Sequence, residues 1–199
     1  MMPMPTTREL EELVFHIIST QHGWCGAGGR SLLDVAKLAS QHGDHVEIGS
    51  LFGATARMAA SVKMQFGYTG NVYCIDPMEF DRHEACVRIE GTDSQRLMLR
   101  EQFQIFSDVT KKFGDRIQLI RRPSHPWPIE EDRKFVTAFI DGWHYGDGPI
   151  NDAKKLADFL RGEVFHPASW PTRKFYLSRV QTGNPEHCSA EFEKQLQHS

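Results

Sequence analysis

HVEIGSLFGATARMAASV, residues 45–62, is the stretch whose reading decides the fold. A short apolar run carrying Glu47 breaks at Gly49, Gly53 closes the break, and ATARMAASV then has the composition of a helix. Strand, glycine turn and helix in that order open a βαβ unit. Glycine lets a backbone come close to a ligand, and the start of a helix offers N–H groups that lack intrahelical partners. The turn reads Glu47-x-Gly49-x-x-x-Gly53, with Ser50 inside it, and departs from Gly-x-Gly-x-x-Gly.

Outward from this turn, strands alternate with helices. NVYCID, RIQLI and KFVTAFID read as further strands. Ser31 is a plausible N-cap for LLDVAKLASQ, and residues 94–113 place Leu97, Leu99, Phe103, Phe106 and Val109 at helical spacing. Pro149 suits the first turn of a helix running to about Leu160. Alternation from about residue 31 to 160 predicts a doubly wound, mostly parallel Rossmann-like α/β sheet with helices on both faces. Residues 1–30 form a helical extension, with Leu10, Leu13, Val14 and Ile17 on one face, and residues 31–199 a single domain. Ligands in such sheets bind beyond the C-terminal ends of the strands, near the point where strand order reverses.

Two acids mark that edge. Asp76 ends NVYCID, where a carboxylate can accept hydrogen bonds from both hydroxyls of a ribose. Glu47 precedes the glycine turn, where an acid disfavours a pyrophosphate and suits a cationic amino-acid group. Together they point away from NAD and toward S-adenosylmethionine (SAM).

FVTAFIDGWHYGDGPINDAKK, residues 135–155, brings Asp141, Trp143, His144 and Tyr145 to the end of the fourth strand. Asp-Gly is also a common turn pair, and a histidine between aromatics can be inert packing. The blander readings elsewhere are a solvated pair for Arg121-Arg122, a rigid loop for RRPSHPWP, a first-turn acid for Asp152 and buried thiols for Cys74 and Cys86.

VEIGSLFGATARMAA, VYCIDP and FIDGWHYGDGPINDAKKLADFL resemble class I SAM-dependent methyltransferases. The branch they resemble is the small O-methyltransferase-like group that includes macrolide-sugar methyltransferases and cephalosporin-hydroxylase-like proteins. The resemblance covers roughly residues 30 to 160. It implies that Glu47 and Gly49 lie against the methionine part of SAM, that Ser50 also contacts the cofactor, that Gly53 permits the close helix start, and that Asp76 holds the ribose. Ser124 matches a position near the adenine. In metal-using members the acid at Asp141 ligates Mg2+ and the histidine at His144 is the general base, so methyl transfer to a hydroxyl of a small molecule is the expected reaction.

The sequence departs from that pattern after residue 156. The glycine turn before strand five is reduced to Arg161-Gly162, and FHPAS stands where relatives carry an acid. One carboxylate is too few for a firm Mg2+ site, and imidazole, as at His166, suits Mg2+ poorly. The tail is short for the closing strands, so either the sheet is truncated or its last strands are irregular. These departures leave open a second reading, a methyltransferase fold serving as a binding or regulatory module or running a reaction without methyl transfer.

Composition bounds the partners. Hydrophobic residues make up 40% and charged residues 25% of the 199, as in soluble globular domains. A net charge of -3 gives no electrostatic case for nucleic acid or an anionic membrane. No apolar stretch reaches membrane-span length, no secretory signal opens the chain, and the four cysteines lack CxxC spacing. The expectation is a cytoplasmic protein with reduced thiols and a small-molecule substrate, a homo-oligomer being left open.

Overall fold

The structure, a computed structural model, describes residues 4–20, 29–79, 102–142, 148–165 and 176–177. Its strands are β1 His45–Ile48, β2 Val72–Ile75, β3 Ile117–Ile120, β4 Phe135–Ile140, β5 Leu160–Phe165 and β6 Tyr176–Leu177. Its helices are α1 Thr7–Thr20, α2 Gly29–Ala39, α3 Ala54–Gln65, α4 Gln102–Thr110 and α5 Gly148–Ala157. A 3₁₀ segment, Lys111–Arg116, joins α4 to β3.

The strands form one sheet in the order β3-β2-β1-β4-β5-β6. Neighbours from β3 across to β5 run parallel, and β6 is antiparallel to β5. Strand order reverses between β1 and β4, so the topology leaves its crevice beyond their C-terminal ends.

Alternation along each strand sorts side chains between two cores. Val72, Cys74 and Phe139 join α1, α2 and α3 in one cluster, where Leu10, Leu13, Val14 and Ile17 of α1 are also buried. Val46, Ile48, Tyr73, Ile75, Ala138 and Ile140 join Ala153 and Leu156 of α5 in the other. Burying each large aliphatic chain contributes about 1.5–3 kcal/mol before entropy is counted. The second face carries no crossover helix between β3 and β4. Residues 121–134 cross it as a loop instead, with Ile129 buried and Trp127 half-buried against Phe159, ring centroids 5.0 Å apart. Pro123, Pro126 and Pro128 explain the missing helix, since each removes a backbone donor.

Several sequence expectations need correction. The helix expected to start after a Ser31 cap begins at Gly29, so Ser31 lies inside α2. Asp152 is not a first-turn acid, because α5 begins at Gly148 and has no acid in its first turn, and Asp152 is 2% exposed. Arg161-Gly162 is no turn before the fifth strand, because β5 runs from Leu160 straight through it. The cost appears as a break in the β4–β5 register, where Phe135 pairs with Leu160 but Thr137 pairs with Glu163. Among the described residues β6 comprises Tyr176 and Leu177, and the rest of the tail lies outside them.

Among the described residues four polar side chains, those of Lys63, His45, Glu47 and Thr137, are 0% exposed. Lys63, 0% exposed, donates through Nζ to the carbonyls of Gln41 (2.8 Å), Gly43 (2.8 Å) and Thr69 (3.4 Å). It thereby joins the lead-in of β1 to that of β2. His45, also 0% exposed, sits beside its register partner Thr137, with Nδ1 2.8 Å from the hydroxyl. Burial, helped by the Lys63 charge, pushes its pKa down to about 3, so the ring is neutral at physiological pH. Thr137→Val keeps the shape, leaves His45 Nδ1 unmatched beside an Nε2 that already lacks a partner, and lowers stability by about 1–3 kcal/mol. A urea midpoint equal to that of the parent protein would show that the contact contributes nothing.

Candidate functional site

The loops after β1 and β4 meet backbone to backbone at the switch point. Gly49 N donates to Ile75 O at 3.0 Å, and Asp141 N donates to Ile48 O at 2.8 Å. Gly49 has φ +83, and a Cβ built there would fall 2.3 Å from Asp141 O and 2.4 Å from Gly142 Cα. Glycine is therefore required at 49 both for its dihedral and for space. Gly53, at φ +81, is the N-cap of α3, and its N–H donates to Ser50 O at 2.7 Å. The Phe106 ring of α4 packs against it, 3.0 Å from where a Cβ would stand.

Asp76 follows β2 and reaches back under this turn. It is 7% exposed. Its Oδ2 accepts from Ser50 N at 2.9 Å and Leu51 N at 3.0 Å. Its Oδ1 accepts from Met78 N at 2.7 Å and Gln102 Nε2 at 3.2 Å. Leu51 and Met78 both have positive φ, +46 and +59, a conformation uncommon for such side chains. Backbone strain thus gathers at two of the residues whose N–H groups hold this carboxylate.

Glu47 lies on β1 beneath the turn, 0% exposed, and neither carboxyl oxygen has a hydrogen-bond partner. The buried Ser50 hydroxyl lacks one too. Burial pushes the Glu47 pKa up to about 8. The nearby Thr55 and Ser50 hydroxyls lower it, and the charges of Asp141 and Asp76 raise it further. The carboxyl is therefore mainly protonated at neutral pH. A buried, unmatched acid of this kind is costly unless something cationic comes to meet it.

Of the residues singled out from sequence, Glu47, Gly49, Ser50, Gly53, Asp76 and Asp141 come together at this edge. Asp141 is half-buried, directly after β4. Ser124 is half-buried in the loop after β3, two strands away from β1. His144, Trp143 and Tyr145 lie outside the described residues, as do His166, Cys86 and the segments 21–28 and 80–101. Among the described residues no three of His, Cys, Asp and Glu converge as metal ligands. The residues that follow Asp141 and could join it in an oxygen site, 143–147, lie outside the described residues. Sequence reasoning missed Gln102 and the Leu51 backbone, because neither sits in a local pattern that marks ligand chemistry. It also missed that Asp152 Oδ1 lies 2.9 Å from Nε2 of half-exposed His125, which fastens the β3–β4 loop to α5.

The sequence model of a family described as "Methyltransferase domain" matches residues 46–165, from β1 to the end of β5. The chain belongs to this methyltransferase-domain family. A SAM-dependent O-methyltransferase from Thermotoga maritima superposes on the domain with a TM-score of 0.52 at 16% identity, covering 94% of this chain and 55% of its own. The chain thus spans about half the length of that protein. A protein from Klebsiella pneumoniae, provisionally described as an O-methyltransferase, gives 0.43 at 15% identity and covers 98% and 79%. The Thermotoga likeness shows that the α/β Rossmann-like fold is shared. Comparison with curated proteins gave no match. Among the described residues no helix is long and apolar enough to cross a membrane.

Proposed function

We propose that this methyltransferase domain binds SAM and transfers its methyl group to a hydroxyl of a small molecule. The observation that carries the reading is Glu47, a fully buried carboxyl without a partner, under the glycine turn and beside Asp76. A cationic ligand with a sugar matches that pair of acids better than a dinucleotide, whose pyrophosphate would face Glu47. Family membership agrees with it.

In this reading Glu47 meets the ammonium of the cofactor's amino-acid part, and Gly49 and Ser50 lie against the same part. Gly53 keeps the helix start close, Asp76 accepts from the ribose, and Ser124 lies near the adenine. When bound, SAM supplies a methyl carbon made electrophilic by positively charged sulfur. His144, beyond β4, takes the proton from the acceptor oxygen onto an imidazole nitrogen, and Asp141 orients the acceptor at the same rim. Residues 1–30 act as an extension of a single domain in a cytoplasmic enzyme.

Calorimetry with SAM and with its demethylated product, S-adenosylhomocysteine, tests the reading. Both bind, with or without Mg2+, and SAM at a hundredfold excess over its Kd raises the melting temperature by about 5–10 °C. A melting curve unmoved by either compound would favour the second reading, a methyltransferase fold used as a binding module. The occupied lone pairs of Asp76 are the observation on that side.

A further inference from the structure

An ionised carboxylate offers about four lone-pair positions, two on each oxygen, and at Asp76 protein donors take them all. Three of these donors are backbone N–H groups of Ser50, Leu51 and Met78, which cannot leave without undoing the turn. The fourth is a side chain, the Gln102 amide at the start of α4, and its 3.2 Å bond is the longest of the set. The same nitrogen also donates to the Leu51 carbonyl at 3.1 Å. Gln102 is 8% exposed, so water competes poorly for either contact.

The chemistry of that nitrogen is informative. An amide –NH2 carries two hydrogens, and here they go to a carboxylate oxygen and a carbonyl oxygen held side by side. A vicinal cis-diol also presents two adjacent O–H donors. Leu51 adopts its strained left-handed conformation within the turn that provides one of these acceptors, and such strain gathers at functional sites.

We infer that Asp76 Oδ1 and the Leu51 carbonyl oxygen are a paired acceptor site for the two hydroxyls of a nucleoside's sugar, that the Gln102 amide, which donates to both acceptors, holds this site closed, and that the nucleoside binds by displacing it. The inference deepens the reading of Asp76 as the ribose residue and rests on it. Gln102 then lowers affinity, because its two bonds must break before the sugar's two can form. A ligand missing either hydroxyl leaves a buried acceptor unmatched, which costs more than the bond alone.

Titration of the 199-residue protein and of Gln102→Ala and Gln102→Met with S-adenosylhomocysteine, adenosine and 2′,3′-dideoxyadenosine tests this. Methionine keeps most of the volume without the donors, so it carries the comparison should alanine disturb folding. Melting of each variant without ligand checks the fold. The expected result is that both variants bind S-adenosylhomocysteine and adenosine about tenfold more tightly than the parent protein, while adenosine outbinds its dideoxy form in every case. Variants that bind no better than the parent, with the adenosine preference intact, overturn the displacement and leave Asp76 as the ribose residue. Equal binding of adenosine and 2′,3′-dideoxyadenosine, or no nucleoside binding at all, overturns the ribose reading and the displacement with it.

Discussion

Glu47→Gln gives a protein that resists unfolding better than its parent above neutral pH and has lost most of its affinity for SAM. The folded-state pKa of Glu47 is raised to about 8 from an ordinary value of 4.5. Between those values the unfolded chain has released the proton and the folded chain still holds it. The unfolded state binds fewer protons there, so stability falls as pH rises through the window and levels off above it. Each pH unit costs about 1.4 kcal/mol, and the whole window amounts to about 3–5 kcal/mol. Glutamine is neutral throughout and escapes that loss. Urea unfolding at pH 4 therefore differs little between the two proteins, while at pH 9 the variant is the more stable. Identical pH trends would mean that Glu47 is already ionised in the fold. On the ligand side, a cation drawn to the carboxylate makes it give up its proton, so SAM binding near neutral pH releases protons, seen as a buffer-dependent heat. The variant releases none there and binds about 100-fold more weakly. Unchanged affinity would remove Glu47 from the cofactor site.

Gly49→Ala is expected to lower stability by about 3 kcal/mol or more and the melting temperature by about 10 °C. The atoms a new Cβ meets, at 2.3 to 2.5 Å, are all backbone atoms of Asp141 and Gly142, so no side chain can swing aside. The positive φ adds strain of its own. Gly114→Ala is the control. That glycine has φ +52 but nothing within 4 Å of where a Cβ would stand, so it reports backbone strain without collision. Equal losses at the two sites would show that the closeness of the β1 and β4 loops is unimportant.

The parts of this fold that sequence revealed are those governed by local periodicity. The β1–turn–α3 unit, the acid after β2 and the apolar run of β4 each announce themselves within a dozen residues. Contacts between distant segments leave no such mark. Gln102 reaches Asp76 and Leu51 from another helix, and a glutamine in an amphipathic helix has no pattern that foretells it. Asp152 escapes a correct reading because a buried acid on the inner face of a helix looks, by spacing, like a charge in its first turn. Its partner His125 belongs to a proline-rich loop far back in the chain. At Gly162 local punctuation is overridden, since parallel pairing with β4 carries β5 through a residue that on its own suggests a turn.

Lys63 has a practical use because of where it lies. Its amine is out of reach of solvent and grips carbonyls from two neighbouring lead-in segments, yet burial brings its pKa down to about 8. An acylating reagent can reach that nitrogen only when those segments part. Mass-spectrometric timing of its modification therefore clocks how often the sheet's first layer comes undone, from a native residue and without an added dye.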